Sequence, residues 1–480
     1  MNKWIHIIGI SGVATSAVAV MFKNLGWKVT GSDKAFFPPA SEYLQANSIE
    51  ILVGFKEEHL YDAKGDLPDL VIYQGMKGEN NPEITFAREK GLKLTTYAES
   101  LVEYIIHPEQ SIVVAGTYGK TTITAAITKM LLQADKKISY MFGGVPQDMP
   151  FNALGKDVET QYSVIEGDEY MISLDQPTSK FFLYKAKYLV LNAISWEHLD
   201  LFKTEDEYIA NFRKLVKTLP VDGFIVANAN DKNVVNVVSQ SPCKVIYYSI
   251  NEKDALIEPE WLLVKDSKPL PCFMRKMTAD KPLEIVPYER KIIGEFNEEN
   301  LLAAAVLVSE LGVKKERIQE AIREFKGVRR RLEVRAEFKN LMIVDDLGSS
   351  PPKANGTIKA IREDYPLAKI VAVLEPNAGN RVNSALPLFK GIFDQIEELI
   401  IPRFSRLPKS ATLSRFDEQG LLAVMKEDGV NAQLIIDDDQ LVNALIDFYR
   451  KFQDQQVIIL FMSSHSLRGM IENLIAQVQE

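Results

Sequence analysis

The feature that most restricts the fold is a unit that occurs twice: an apolar run of strand length that passes through a glycine turn into a helix. The first is Trp4–Ile10, which turns at GISGVA (Gly9–Ala14) into a helical segment Ala14–Leu25. The second ends in Val113-Val114-Ala115 and turns through GTYGKTT (Gly116–Thr122). Behind it Ile123, Ala126, Ile127, Met130 and Leu131 fall at helical spacing on one apolar face. Parallel strands need a crossover between them, usually a helix, so repeated strand–turn–helix units predict parallel sheets with helices on their faces.

Three blocks of this kind follow one another. In the first, strands are expected also at Trp27–Gly31, ending at Ser32-Asp33, and at Ile49–Phe55, Asp69–Gln74 and Leu92–Thr96. The polar His107-Pro108-Glu109-Gln110 then reads as a linker. In the second block, strands are expected at Tyr162–Ile165, Tyr188–Ala193, Phe224–Asn228 and Val245–Ser249. A Pro-dotted β meander follows from Asn251 to Ile293, then a helix Asn297–Gly312 with Gly312 as its C-cap, then a helix ending near Phe325. The third block starts near Gly327, with strands at Leu341–Val344, Ile370–Leu374, Leu434–Ile436 and Val457–Phe461. A chain of 480 residues exceeds one ordinary core, and the blocks predict domains 1–108, 109–326 and 327–480.

Composition narrows the function class. With 46% hydrophobic and 25% charged residues the chain reads as a soluble globular protein, and a net charge of -9 argues against nucleic-acid or anionic-membrane binding as its main task. The two cysteines, Cys243 and Cys272, have neither disulfide-framework nor zinc spacing. The N-terminal MNKWIHIIGISGVATSAVAVMF lacks a cleavage signature and breaks at glycine and serine, so a strand–turn–helix is expected there rather than a signal peptide. No uninterrupted apolar run is long enough for a bilayer, and a cytoplasmic location is the default expectation.

The two turns carry different chemistry. GISGVA has Gly9 and Ala14 where a dinucleotide fingerprint has its outer positions. Ser11 replaces the middle glycine and Gly12 comes one place late, so the turn reads either as a site for a pyrophosphate-containing ligand or as a glycine turn that lets strand and helix pack, and Asp33 either as a ribose or base contact or as a cap of the next segment. GTYGKTT departs from the general G-x-x-x-x-G-K-[ST] loop, because the position five before Gly119 is Val114 and the nearest glycine, Gly116, is three before. Even so, a lysine at a helix N-terminus opposes the dipole and calls for an anion. Lys120 is expected to meet β- and γ-phosphates and the Thr121 hydroxyl to meet Mg²⁺. The carboxylates of Glu166-Gly167-Asp168-Glu169 end a strand of the same block and repel one another unless a cation or solvent relieves them. His198 in NAISWEHLDLF reads as a hydrogen-bonded structural residue or a metal ligand. The arginines of GVRRRLEVR (Gly327–Arg335) read as a phosphate clamp or a solvated edge. Asp345-Asp346 before LGSSPP reads as a ligand contact or an N-cap turn.

Taken in this order, GTYGKTT, EGDE, the EHLD segment and GEFNEEN resemble the Mur ligase family, ATP-dependent amide-bond ligases of peptidoglycan synthesis, whose short loop is G-T-x-G-K-T-[ST]. The resemblance covers essentially the whole chain. It implies an α/β fold of three domains, each on a mostly parallel sheet: Rossmann-like, then P-loop ATPase-like, then Rossmann-like. By it, Gly116, Thr117, Gly119, Lys120, Thr121 and Thr122 form the ATP loop, and Thr121, Glu166 and His198 hold Mg²⁺. Asn297 meets adenine, Asn300 supports the site, and Arg331 and Asp346 contact the nucleotide. Gly9, Ser11, Gly12 and Asp33 hold the UDP portion of UDP-N-acetylmuramate. Lys120, Glu166, His198 and Arg331 carry the catalysis. GSDKAFFPPASEYL, FGGVP and VAVLEPNAGN look most like members that add the tripeptide L-Ala-γ-D-Glu-meso-diaminopimelate, with those that add L-alanine next. Departures from the family pattern are Phe296 for a histidine, Ser349-Ser350 for two histidines, Met171 for an aspartate and Thr178 for an arginine. Phe296 falls beside the expected adenine contact, and the others fall where muramate and amine contacts are expected.

Overall fold

The computed structural model describes residues 3–36, 40–75, 81–197, 201–265, 271–276, 284–406 and 414–479. The chain divides into two compact units, residues 1–291 with 297–328, and residues 292–296 with 329–480. It is mixed α/β, with three mostly parallel sheets. Among the described residues no helix is long and apolar enough to cross a membrane.

The first unit carries two sheets. One has five parallel strands in the order Glu50–Val53, Lys28–Asp33, Trp4–Ile8, Leu70–Tyr73 and Leu94–Thr96. The strand expected over Trp4–Ile10 stops at Ile8, because Gly9 turns with φ 83° and the Gly9 and Ile10 amides both end on one carbonyl of the neighbouring strand, that of Ser32. The helix behind it is Val13–Asn24, buried along Thr15–Phe22.

The other sheet has ten strands, with Ser111–Ala115 between Tyr162–Glu166 and Tyr188–Leu191. Beyond Tyr188–Leu191 lie Phe224–Asn228, Lys244–Ser249 and Trp261–Val264, all parallel. The expected meander is present as Trp261–Val264, Cys272–Arg275 and Glu284–Pro287, antiparallel to one another, and it extends the edge of the parallel sheet. On the other side Ile138–Met141 pairs parallel with Tyr162–Glu166 and antiparallel with the short Ala153–Leu154. Those two strands carry too few residues to register as periodic in the sequence, and pairing creates them. The helices Glu295–Glu310 and Lys315–Glu324 follow.

The expected linker at His107 joins these two sheets tightly. The His107 ring accepts the amides of Glu109 and Gln110 at 3.1 and 3.0 Å, and the His107 amide bonds to the Ser163 hydroxyl at 2.9 Å. One apolar cluster runs from Ile5, Phe22 and Leu70 through Leu101 and Ile105 to Phe181, Tyr184 and Phe212, so burial continues across the linker. A second seam is backbone on backbone: Gly75 bridges Ser173, and the Leu174 amide bonds to the Gly75 carbonyl at 3.3 Å.

The second unit has one six-stranded sheet in the order Glu333–Phe338, Leu341–Asp346, Val457–Ser463, Lys369–Glu375, Glu398–Pro402 and Ala432–Ile435. Only the Glu333–Phe338 edge is antiparallel. Apolar clusters around Ile358, Leu374 and Leu460 on one face and Leu445, Phe461 and Leu474 on the other cover both sides.

The Gly75 seam yields a test. A Cβ there would lie 2.6 Å from the Ser173 Cα and nearer still to the Ile172 carbonyl, both backbone and unable to move aside cheaply. Gly75→Ala is expected to cost about 1–3 kcal/mol, the range for overpacking, read as a lowered denaturation midpoint. An unchanged midpoint would mean that the seam is loose.

Candidate functional site

In the ten-stranded sheet the chain starts at Ser111–Ala115, moves outward to Ile138–Met141, returns to Tyr162–Glu166 and then crosses to Tyr188–Leu191 on the other side. The C-terminal ends of three neighbouring strands therefore meet where the strand order reverses, the usual ligand position in open α/β sheets. The loop Gly116–Gly119 leaves from that point. Gly116 and Gly119 have φ 127° and 77°, values that L side chains rarely adopt. Contact adds to conformation: a Cβ on Gly119 would lie 3.0 Å from the Asn192 Nδ2 and collide with the Asn300 Oδ1. Gly119 caps the helix Lys120–Gln133 without a side-chain bond, so the first-turn amides have no side-chain cap from that residue.

Lys120 is the centre of the site. Its ammonium donates to the Gly116 carbonyl at 2.6 Å and to Glu169 Oε2 and Oε1 at 3.0 and 3.3 Å. The Lys120 side chain is 15% exposed and that of Glu169 is fully buried. Burial works against the ammonium, but the charges of Glu169, Glu166 and Asp168 outweigh it and hold Lys120 above the usual lysine range. The Tyr208 hydroxyl donates to Glu169 Oε1 at 3.3 Å and lies 3.0 Å from Thr117 Oγ1. Burial first, and then the Glu169 charge, push the Tyr208 phenol up. Thr117 closes the ring by donating to the Ser195 carbonyl at 2.8 Å and accepting the Ser195 amide at 2.9 Å.

The expected metal pair is together as well. The Thr121 hydroxyl donates to Glu166 Oε1 at 2.9 Å, and the Gly143 amide donates to Oε2 at 2.8 Å. Two hard oxygens at this separation suit Mg²⁺, which takes a few such ligands and keeps water. Thr122, one residue on, is buried. His198 lies outside the described residues. Asn297 and Asn300 are both buried, linked by the Asn300 Nδ2 to Asn297 Oδ1 bond of 3.1 Å, and Asn300 abuts Gly119.

The other expected residues are grouped elsewhere. In the five-stranded sheet, Asp33 Oδ2 accepts the Ser11 amide at 3.2 Å and the Ser11 hydroxyl, and Gly12 caps Val13–Asn24. The structure thus brings Gly9, Ser11, Gly12 and Asp33 to one strand-end cluster. In the second unit, Asp346 is buried and accepts the Leu332 amide at 2.8 Å and the Thr357 hydroxyl at 2.7 Å. Burial raises its pKa against those bonds and the Arg331 charge. Beside Arg331, Arg330 bonds to Asp345 at 3.2 Å and to the Ser463 and His465 carbonyls at 2.7 and 2.6 Å. Arg330 and Leu332, on either side of Arg331, have φ 60° and 50°, a strained backbone for side-chain-bearing residues. Ser350 is the N-cap position of the helix Pro351–Asp364, as the turn reading of that segment has it.

Four contributors escaped the sequence: Glu169 as partner of Lys120, Tyr208, Asn192 and Tyr248. The Tyr248 hydroxyl donates to Asn192 Oδ1, and Asn192 Nδ2 donates to the Tyr118 carbonyl at 3.5 Å. Asn192 follows directly on an apolar strand, so the rule that ligands gather at strand ends was the available signal. Nothing in the sequence points to either tyrosine.

The Lys120–Glu169 pair makes a stability prediction. Glu169→Ala leaves the Lys120 ammonium without its buried counter-charge and is expected to cost about 3 kcal/mol, the low end for breaking a buried pair. The double variant Lys120→Ala/Glu169→Ala is expected to cost less than the sum of the two single changes. Denaturant unfolding of the four proteins measures the coupling, and strict additivity would deny it.

Comparison with known proteins bears on the same residues. Residues 4–107 match the domain described as Mur ligase family, catalytic domain, and residues 114–308 match the Mur ligase middle domain. A UDP-N-acetylmuramate–L-alanine ligase from Clostridium botulinum is 30% identical over 400 residues, 83% of this chain and 82% of that protein. A UDP-N-acetylmuramate–L-alanyl-γ-D-glutamyl-meso-2,6-diaminoheptandioate ligase from Haemophilus influenzae is 29% identical over 378 residues, 78% of this chain and 80% of that one. Among solved structures, a UDP-N-acetylmuramate–alanine ligase from Thermotoga maritima aligns with TM-score 0.76 at 21% identity, covering 100% and 99% of the two chains. A murein peptide ligase from Psychrobacter arcticus aligns with TM-score 0.69 at 23% identity, covering 99% and 98%. The fold, the short glycine loop with its paired lysine, and these likenesses agree: the chain belongs to the Mur ligase family of ATP-dependent acid–amino-acid ligases.

Proposed function

We propose that this ligase joins UDP-N-acetylmuramate to the tripeptide L-Ala-γ-D-Glu-meso-diaminopimelate, with ATP as the energy source and Mg²⁺ bound. The observation that carries the nucleotide chemistry is the convergence of Lys120, Thr121 and Glu166 on one glycine loop at a strand-order reversal. Support for the tripeptide comes from the Haemophilus influenzae relative and from the segments that resemble such members. On this reading residues 1–108 take the UDP-linked acid through Gly9, Ser11, Gly12 and Asp33. Residues 109–326 take ATP, with Asn297 and Asn300 toward the base. Residues 327–480 take the amine and, through Arg331 and Asp346, contribute to the nucleotide.

The proposed reaction has two stages. The muramate carboxylate attacks the γ-phosphorus, giving an acyl phosphate and ADP. The peptide amine then attacks the acyl carbon, loses a proton, and the tetrahedral adduct expels phosphate to leave the amide. The Gly116 carbonyl and both Glu169 oxygens accept from the Lys120 ammonium, and a phosphate oxygen would take the place of the longest of these contacts, the 3.3 Å one to Glu169 Oε1. Fixed in advance by those partners, Lys120 needs little reorganisation as charge builds on the transferred group, and Arg331 adds a second cation. Thr121, Glu166 and His198 would hold the Mg²⁺, which when bound neutralises phosphate charge. Water must be kept from the acyl phosphate, or it hydrolyses unproductively.

A second reading, L-alanine as the amine, draws on the 30% identical relatives named for that reaction. Phosphate release from ATP, measured with UDP-N-acetylmuramate and either tripeptide, L-alanine or no amine, decides among them. Amide product and faster release with the tripeptide are expected. Preference for L-alanine would install the second reading, and absence of turnover with either amine would point to a non-catalytic nucleotide-binding relative. In the same assay Lys120→Ala is expected to lower kcat by about 10³-fold, comparable to removing a charge-stabilising donor; near-normal turnover would refute its role.

A further inference from the structure

Behind the Gly9 turn lies a buried polar cluster that the proposed reaction does not use. Glu83, second residue of the helix Pro82–Glu89, is fully buried. Its Oε2 accepts the Ser32 hydroxyl at 2.5 Å, and its Oε1 accepts the Lys56 amide at 3.1 Å and the His59 Nδ1 at 2.7 Å. His6, also fully buried, brings Nε2 to 3.6 Å from the same carboxylate and Nδ1 to 2.9 Å from the Thr30 hydroxyl. Burial alone would raise the Glu83 carboxyl. The His6 ring, the Ser32 hydroxyl and the Lys56 amide outweigh burial and hold it below the ordinary glutamate range.

A carboxylate this deep could serve only to fasten the helix to the sheet. The bonds beyond Ser32 point further. The Ser32 carbonyl accepts the Gly9 amide at 2.7 Å and the Ile10 amide at 3.2 Å, and the next residue, Asp33, accepts the Ser11 amide and hydroxyl. Three consecutive amides of the turn are thereby fixed on Ser32-Asp33, and the helix Val13–Asn24 starts immediately after, capped by Gly12 without a side-chain bond. The turn amides and Asp33 are tied to the Ser32-Asp33 backbone, which the strands on either side also hold, and the Ser32 hydroxyl is tied to Glu83.

We propose that Glu83 is a positioning residue for UDP-substrate binding, acting through Ser32 on the Gly9–Ser11 backbone and on Asp33. This rests on the reading that GISGVA and Asp33 hold the UDP portion. A residue of this kind affects one substrate and spares the other. In Glu83→Gln the KM for UDP-N-acetylmuramate is expected to rise about tenfold, with kcat and the KM for ATP within about twofold. UDP alone, titrated calorimetrically, is expected to bind more weakly by the same factor. Ser32→Ala cuts the same link while keeping its carbonyl, so it is expected to reproduce the effect, and the double variant is expected to be no worse than the worse single one.

Glu83→Gln with unchanged UDP affinity overturns the proposal, whether or not its melting temperature falls, and so do additive losses in the double variant. A wild-type protein that binds no UDP overturns both the proposal and the assignment of the turn. Wild type that binds UDP while Glu83→Gln binds it equally tightly overturns the proposal alone.

Discussion

Much of the site depends on one electrostatic constraint: Lys120 stands at the start of a helix whose dipole repels it. Such a lysine is tolerated only beside negative charge, and the fold supplies Glu169 at 3.0 Å, fully buried, together with the Gly116 carbonyl at 2.6 Å. Glu169 in turn needs donors, and Tyr208 supplies one while also meeting Thr117 of the loop. The glycine loop is thus held by a closed ring of bonds whose members come from three strand ends and one helix. Held in this way, the lysine keeps its charge despite burial, which is what neutralising a phosphoryl group requires.

Glycine has a second role beyond turning the chain. At Gly119 the missing Cβ makes room for Asn300 and Asn192, and at Gly75 it lets two backbones pair across the seam between the sheets of the first unit. Both are close approaches, and both join segments far apart in sequence. The same economy appears at the first turn, where Ser32 and Asp33 absorb the amides of Gly9, Ile10 and Ser11. Neither turn owes its shape to its own residues alone.

Much of the fold was legible in the sequence. The strands expected at Tyr162, Tyr188, Phe224, Val457 and elsewhere fall within a residue or two of their places, because an apolar run next to a glycine turn leaves few alternatives. The strands Ile138–Met141, Ala153–Leu154, Glu333–Phe338 and Glu398–Pro402 were not foreseen. They are short or lie near an edge, and they exist because a neighbour supplies the other half of their hydrogen bonds. Across the segment at His107 apolar burial continues from Phe22 and Leu70 into Tyr184 and Phe212, a contact that only the tertiary structure shows.

For the site, the sequence by itself determined the chemistry on offer: a glycine loop, a lysine, a hydroxyl and carboxylates spaced along one α/β block, in the pattern of the Mur ligases. Their local order follows from residue type and short-range geometry, which a sequence carries. Only the tertiary structure decided the partners: Glu169 for Lys120, Glu166 for Thr121, Asn192 and Asn300 for Gly119, and Glu83 for Ser32. It also paired Arg330 with Asp345 and set Arg331 between two residues of positive φ. Partnership is a matter of distance across strands and helices, and chain spacing does not encode which buried carboxylate will stand 3 Å from which cation.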